Sequence, residues 1–89
     1  MPSKSEDPDE VRVRVARRIV ELREKAGLTQ RDVAEAVGFD TSSYARMESG
    51  SENLTLRTLT LIAATFELPT LALLEQPTVA PPERKRGRP

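Results

Sequence analysis

Apolar positions along this chain repeat every three or four residues in four separate stretches. In the first stretch the repeat consists of Val11, Val15, Ile19, Leu22 and Ala26. The other three stretches carry it at Val33, Ala34 and Val37, at Tyr44 and Met47, and at Leu59, Ile62, Ala63 and Phe66. This spacing places apolar side chains on one face of an α-helix. The pattern therefore predicts an all-α fold.

Residues typical of helix ends flank each apolar stretch. Side chains that can cap an N-terminus stand before the four stretches, at Asp7, Thr29, Asp40 and Thr55. Pro8 follows Asp7 at the position where a helix best tolerates proline, and Asp32 stands three residues after Thr29, as in a reciprocal capping box. The first three stretches each end at a glycine, namely Gly27, Gly38 and Gly50.

The fourth stretch ends at Pro69, which cannot continue a helix. A short fifth helix over residues 70–75, with Pro69 or Thr70 as its cap, would follow. The sequence thus predicts a compact bundle of five helices. Leu71, Leu73 and Leu74 cannot all face one small core. Two interpretations stay open: they serve core packing, or some of them form a dimer surface.

Proline positions indicate the domain organisation. Only Pro69 lies between Val11 and Gln76, and the other six prolines lie in the two ends of the chain. A chain of 89 residues allows one small domain. We expect a disordered N-terminal arm over residues 1–6, one folded domain over residues 7–76, and a Pro-rich basic tail over residues 77–89.

The composition excludes several classes of function. Cys and His are both absent, which rules out disulfides, thiolate metal sites and the commonest general base. No pair of carboxylates stands out as a catalytic pair, so we expect no enzyme, no cofactor and no metal. No run is long and apolar enough to span a membrane, and the polar, acidic start does not resemble a signal peptide. We expect a cytoplasmic protein.

Charges alternate in blocks along a chain whose net charge is zero. Residues 1–10 carry one base and four acids, net −3, and residues 11–30 carry six bases and two acids, net +4. Residues 31–52 carry two bases and five acids, net −3, and residues 53–76 carry one base and two acids, net −1. Residues 77–89 carry four bases and one acid, net +3. A polyanionic partner would therefore have to bind local basic patches.

The segment from Thr29 to Gly50 is the most specific signal in the chain. It predicts two short helices joined by a tight turn at Gly38, which is the pattern of a helix-turn-helix. Phe39 would fill the turn, and small Ala34 would allow the helices to cross closely. This pattern makes double-stranded DNA the first partner to consider. DNA would have to bind the local basic patches, and we then expect a nucleoid-associated protein.

The chain resembles the phage-repressor-type helix-turn-helix family, also called the XRE or Cro-like family, over about residues 15–74. The matching residues are Leu22-Arg23, Gly27-Leu28-Thr29-Gln30, Val33-Ala34-Glu35, Val37-Gly38-Phe39-Asp40, Arg46-Met47-Glu48-Ser49-Gly50, Leu59, Ile62, Ala63 and Phe66. The resemblance implies a lambda-repressor-like five-helix domain that binds operator DNA as a homodimer. It also implies that the third helix, at about residues 41–49, enters the major groove.

Site residues follow from the resemblance position by position. Thr41, Ser42 and Arg46 match the base-reading positions, and an arginine can donate two hydrogen bonds to a guanine. The DNA backbone contacts would come from Gln30, Ser43, Arg23 and Asn53. Glu48 matches a structural position. The other arginines of the first helix would form a solvated face. The loop after the third helix departs from the family because it carries the acid Glu52 and no base.

The C-terminal end carries a second DNA-related signal. Arg84, Lys85, Arg86 and Arg88 are basic, and Arg86-Gly87-Arg88-Pro89 resembles the core of an AT-hook, which inserts into the minor groove. The alternative is a solvated basic tail that adds affinity regardless of DNA sequence.

Three functions stay open at the level of sequence. The first is a sequence-specific transcriptional regulator, such as a repressor or a restriction–modification controller, that occupies a promoter or touches RNA polymerase. The second is an antitoxin that binds DNA and neutralises a toxin through a disordered arm. The third is a protein-binding helical module without specific DNA binding, which the negative charge of residues 31–52 favours.

Overall fold

A computed structural model of the chain describes residues 6–78, and all regular structure in that part is helical. Residues 1–5 and 79–89 lie outside the described part. Four α-helices are followed by one 3₁₀ helix: α1 (Pro8–Lys25), α2 (Gln30–Val37), α3 (Thr41–Glu48), α4 (Leu56–Thr65) and the 3₁₀ helix (Thr70–Leu74). The predicted all-α class is confirmed.

The prediction of five α-helices is wrong in its last element. Residues 6–78 contain four α-helices, and the predicted fifth helix is a 3₁₀ helix of five residues. Its characteristic bond runs from the Ala72 amide to the Pro69 carbonyl over 2.9 Å. Pro69 provides no side-chain cap, and Pro77 disfavours helical geometry in the residue before it. A segment this short and uncapped has too few hydrogen bonds to sustain an α-helix.

The predicted starts of α1 and α4 are confirmed. Asp7 caps α1 by accepting a hydrogen bond from the Asp9 amide, and Pro8 is the first helical residue. Thr55 caps α4 by accepting a hydrogen bond from the Thr58 amide. Each cap satisfies an amide that has no partner inside its own helix.

The core consists of the inward faces that the apolar spacing predicts. Its buried residues are Val15, Ile19, Leu22, Val33, Ala34, Val37, Tyr44, Leu59, Ile62, Ala63 and Leu73. Phe39, Met47 and Phe66 are half-buried and pack against this cluster. Ala26 is exposed because α1 ends one residue before it.

The turn that follows α3 is fixed against α1. Gly50 has a φ of 82°, and a Cβ at this position would lie 3.3 Å from Cγ2 of Val13. The Arg12 Nε donates a hydrogen bond of 2.7 Å to the Gly50 carbonyl. Any side chain here would meet both backbone strain and a close neighbour, so this contact sets how α3 lies against α1.

Candidate nucleic-acid interface

The predicted helix-turn-helix consists of α2 and α3, with a capping box at the start of α2 and a glycine at its end. The Thr29 hydroxyl accepts a hydrogen bond of 3.0 Å from the Asp32 amide, and the Asp32 carboxylate accepts one of 2.8 Å from the Thr29 amide. These bonds to Thr29 hold the pKa of Asp32 below its usual range. Gly38 ends α2 with a φ of 87°, a left-handed conformation that glycine adopts without strain.

The orientation of α3 separates an inward face from an outward face. Tyr44 is fully buried and Met47 is half-buried, so the opposite side of the helix faces solvent. Thr41, Ser42 and Arg46 are all exposed there. The three residues predicted to read bases therefore lie on one accessible face of α3.

Asp40 begins α3 in a different way from the one predicted. It is the N-cap residue, but its side chain makes no capping hydrogen bond to the helix backbone. Its carboxylate instead accepts a hydrogen bond of 3.0 Å from the Ser42 hydroxyl. The hydroxyls of Ser43 and Ser42 hold the pKa of Asp40 below its usual range, so this carboxylate stays ionised at the start of the exposed face.

Arg46 is paired with the loop after α3. Its Nε donates a hydrogen bond of 3.1 Å to Oε2 of Glu52, and the two side chains are 57% and 44% exposed. The backbone carbonyl of Arg46 accepts hydrogen bonds from the hydroxyls of Ser49, at 2.7 Å, and Ser51, at 3.1 Å. The loop is thereby folded back onto the last turn of α3.

A buried carboxylate joins the first three helices behind the exposed face. Glu48 of α3 accepts hydrogen bonds from Arg23 of α1, at 2.6 and 3.1 Å, and from Gln30 of α2, at 2.9 Å. Arg23 also donates to the Leu28 carbonyl over 2.8 Å. The hydrogen bond to Glu48 raises the pKa of Arg23 against the opposing effect of burial. Arg23 and Gln30, predicted as DNA backbone contacts, are thus engaged with Glu48 in this structure.

The Tyr44 hydroxyl lies next to this buried carboxylate. Within residues 6–78 it makes no hydrogen bond of acceptable geometry. Burial raises the pKa of Tyr44 far above its usual value, and the neighbouring Glu48 carboxylate adds to the effect. The hydroxyl therefore stays protonated throughout the physiological range.

The remaining predicted backbone contacts within residues 6–78 are accessible to solvent. Asn53 is exposed in the loop between α3 and α4, and Ser43 is half-exposed in the first turn of α3. Arg84, Lys85, Arg86 and Arg88, with the AT-hook-like motif, lie outside the described residues.

A second ionic cluster was not expected from the sequence. Arg18 is buried rather than part of a solvated face, with its Nε donating to the Ala72 carbonyl over 2.9 Å. Its terminal nitrogens pair with Glu21 at 2.8 Å and Glu75 at 3.1 Å. Glu21 in turn accepts hydrogen bonds from the amide and hydroxyl of Thr78, at 2.9 and 2.7 Å. The cluster holds the end of the described chain on α1.

Sequence reasoning missed both this cluster and the pairing of Arg46 with Glu52. The partners are separated by six residues in one case and by up to 57 in the other. The signal that was available is the lone acid in a loop where the family usually has a base. Because Glu52 departs from the family pattern and lies close in sequence to Arg46, it could have been considered as the partner of that arginine.

None of the helices in residues 6–78 combines the length and apolar character needed to cross a membrane. That part of the chain also holds no group of three or more acidic side chains arranged to bind a metal ion.

Comparison with known proteins agrees with this geometry. A helix-turn-helix family model, HTH_3, matches residues 19–73. The chain is similar to the restriction-modification controller protein C.AhdI from Aeromonas hydrophila, with 28% identity, a TM-score of 0.72, and coverage of 76% of this chain and 99% of that one. It is also similar to the controller protein C.Esp1396I, solved as a tetramer with its natural 35-base-pair operator, with 28% identity, a TM-score of 0.65, and coverage of 71% and 83%.

A third similar structure is an HTH_3 family transcriptional regulator from Vibrio cholerae, at 24% identity and a TM-score of 0.70. The match covers 75% of this chain but 38% of that regulator, so it shows the shared fold alone. A search among curated proteins found no match.

Proposed function

We propose, since this chain belongs to the XRE-type helix-turn-helix family of DNA-binding transcription regulators, that it binds operator DNA as a homodimer and reads each half-site with α3. One observation carries the proposal. The buried Tyr44 turns α3 so that Thr41, Ser42 and Arg46 share its exposed face. An α-helix fits the major groove, where each base pair presents a distinct set of donors and acceptors.

The three side chains suit different parts of that reading. The guanidinium of Arg46 can donate two hydrogen bonds to O6 and N7 of a guanine. The hydroxyls of Thr41 and Ser42 can donate to or accept from several base edges, and the threonine methyl can contact a thymine. A good bidentate pair discriminates against the wrong base by about 1–3 kcal/mol, so Arg46 should contribute most to specificity.

Phosphate contacts have to be supplied from around this face. Residues 31–52 have a net charge of −3, which opposes the DNA backbone. The side chains of Ser43 in α3 and Asn53 in the loop after it, and the amides at the start of α2, are suited to phosphates. Before Gln30 and Arg23 could contact a phosphate, they would have to share or break their hydrogen bonds to the Glu48 carboxylate. The basic tail, net +3, would supply the sequence-independent part of the affinity.

A homodimer would place two copies of α3 in successive turns of the groove, about 34–36 Å apart. Leu71 and Leu74 are 73% and 42% exposed on the 3₁₀ helix, and a second copy of the chain would cover them. The known tetramer of C.Esp1396I on its operator supports assembly on DNA as the mode of action. RNA polymerase and a toxin stay predicted partners, which co-purification with the full chain would test.

The test is a binding titration with DNA from the region upstream of the protein's own gene, beside a scrambled duplex of the same composition. At about 50 and 200 mM salt, we expect the upstream DNA to bind roughly 10³-fold more tightly than the scrambled duplex. Arg46→Ala should reduce this preference, whereas Arg57→Ala, an equal change of charge on α4, should preserve it. Equal and steeply salt-dependent binding to both duplexes would contradict the proposal and leave non-specific attraction by the tail.

A further inference from the structure

We propose that Glu52 is a positioning residue for base reading, and that it orients Arg46 toward guanine by holding one edge of the guanidinium. This inference rests on the proposed function, because it assigns a role on the same DNA-reading face. It also explains an acid in a loop that lies beside DNA in that function.

The geometry of the pair leaves the reading end of Arg46 free. Oε2 of Glu52 accepts a hydrogen bond of 3.1 Å from Nε of Arg46. Within residues 6–78 the two terminal nitrogens of Arg46 make no hydrogen bond. A guanine offers two acceptors, O6 and N7, that match this terminal pair. The Nε edge and the terminal edge can therefore be occupied at the same time, one by Glu52 and one by the base.

The backbone that carries Glu52 is fixed from two sides. The Ser49 and Ser51 hydroxyls bond to the Arg46 carbonyl and lie 2.9 Å from each other. Between them, the Gly50 carbonyl accepts a hydrogen bond of 2.7 Å from Arg12 of α1. Glu52 directly follows this fastened turn, so its carboxylate is held beside the last turn of α3 before any DNA is bound.

Solvent weakens the ion pair of Arg46 with Glu52 in the free protein, and this screening decreases when DNA covers the pair. Exposed pairs of this kind add little to stability because solvent screens them. A groove that excludes water strengthens the attraction between Arg46 and Glu52, and holding the arginine in one orientation lowers the ordering cost of the base contact. The carboxylate also repels phosphates, which weakens binding to every sequence alike. Glu52 thus lowers the affinity for DNA of any sequence and raises the discrimination for guanine by Arg46.

The test compares charge and position in the full-length chain. The probes are a duplex selected by the wild-type protein from a random pool, the same duplex with 7-deazaguanine at the guanine that Arg46→Ala no longer senses, and a scrambled duplex. We expect Glu52→Gln to bind the scrambled duplex about threefold more tightly, since a charge that repels phosphate is removed. The discrimination between guanine and 7-deazaguanine should fall by about threefold or more.

Two further variants separate the possible causes. Glu35→Gln removes the same charge from an exposed pair, with Arg31 at 3.2 Å on α2, and should leave discrimination at the guanine unchanged. Glu52→Asp keeps the charge but shortens the side chain by one methylene. It should lose discrimination without gaining affinity for the scrambled duplex.

The possible failures are distinguishable. If Glu52→Gln gains affinity and keeps full discrimination, Glu52 merely competes with DNA for Arg46 and the inference is overturned. The same holds if Glu35→Gln lowers discrimination to the same extent as Glu52→Gln. If the wild-type protein selects no sequence from the pool, the proposed function itself fails, and the inference falls with it.

Discussion

Arg23 of α1 and Glu48 of α3 form a buried ion pair through two hydrogen bonds, of 2.6 and 3.1 Å. Gln30 of α2 donates a third hydrogen bond to the same carboxylate. The exposed fraction of the Glu48 side chain is 4%, so these partners rather than water satisfy its carboxylate oxygens. The pair therefore fixes how α3 is presented by the two helices behind it.

Removing one partner of this pair should destabilise the domain strongly. Arg23→Met leaves the Glu48 carboxylate buried without its main partner, a change that costs about 3–5 kcal/mol in comparable pairs. The double variant Arg23→Met/Glu48→Leu should lose less, because it leaves no charge buried. Urea denaturation gives the free energy of unfolding of each variant.

The exposed pair of Arg31 with Glu35 is the control, and Arg31→Ala should change the free energy of unfolding by less than about 1 kcal/mol. Arg23→Met and Glu48→Leu are also measured singly. If the double variant loses as much stability as the two single variants together, Arg23 and Glu48 are not coupled.

Tyr44, the single tyrosine, should resist ionisation until the protein unfolds. Burial and the Glu48 carboxylate raise its pKa above the usual value of 10.0, so the folded state keeps the phenol proton longer than the unfolded state does. This contribution to stability is fully present below about pH 10 and falls as the pH rises beyond it. Tyrosinate absorbance and circular dichroism, followed together during an alkaline titration, should change at the same pH.

Removing the Tyr44 hydroxyl tests how much this buried group contributes to stability. Tyr44→Phe removes a buried hydroxyl that makes no good hydrogen bond within residues 6–78, so the free energy of unfolding should change by less than about 1 kcal/mol. Tyrosinate absorbance that rises well before the loss of helicity would contradict the buried position of Tyr44.

Arg18 should matter more for stability than its neighbour Arg17. Arg18→Ala leaves the Ala72 carbonyl and the Glu21 carboxylate without a donor that they now share, a loss of about 1–3 kcal/mol. Arg17 is half-buried and forms no ion pair within the described residues. Arg17→Ala should therefore stay within about 0.5 kcal/mol of the wild type. Thermal unfolding of both variants makes the comparison, and equal losses would show that the bonds of Arg18 add nothing.

Deleting residues 84–89 should weaken DNA binding evenly across sequences. The deletion removes four basic residues, and each lost phosphate contact lowers the salt dependence of the binding constant by about 0.9 in the log–log slope. Titrations of the selected and scrambled duplexes over a range of salt concentrations measure both effects. A change in sequence preference would instead support minor-groove reading by the AT-hook-like motif.

The parts of this fold that could be predicted depend on neighbours in the sequence. The capping box of Thr29 and Asp32 and the left-handed end of α2 at Gly38 are decided within three or four residues, where spacing and residue type suffice. The exposed face of α3 follows from the inward position of Tyr44, because helical spacing places Ser42 and Arg46 away from it.

The parts that could not be predicted depend on contacts across the fold. Arg18 looked like a surface residue because its partners at Ala72 and Glu75 are 54 and 57 positions away. The 3₁₀ geometry of residues 70–74 has a local cause instead, because the segment is short and has no side-chain cap.

The hydrogen bonds between Glu21 and Thr78 have a consequence for the reach of the basic tail. Glu21 and Arg23 are two positions apart on α1 and so point about 200° apart, which places Glu21 on the flank turned away from α3. Thr78 lies on that flank, and a segment of eleven residues such as 79–89 can span at most about 36–40 Å from it. If the basic residues of this segment contact phosphates, as proposed, the footprint protected on DNA should extend beyond the half-site that α3 reads.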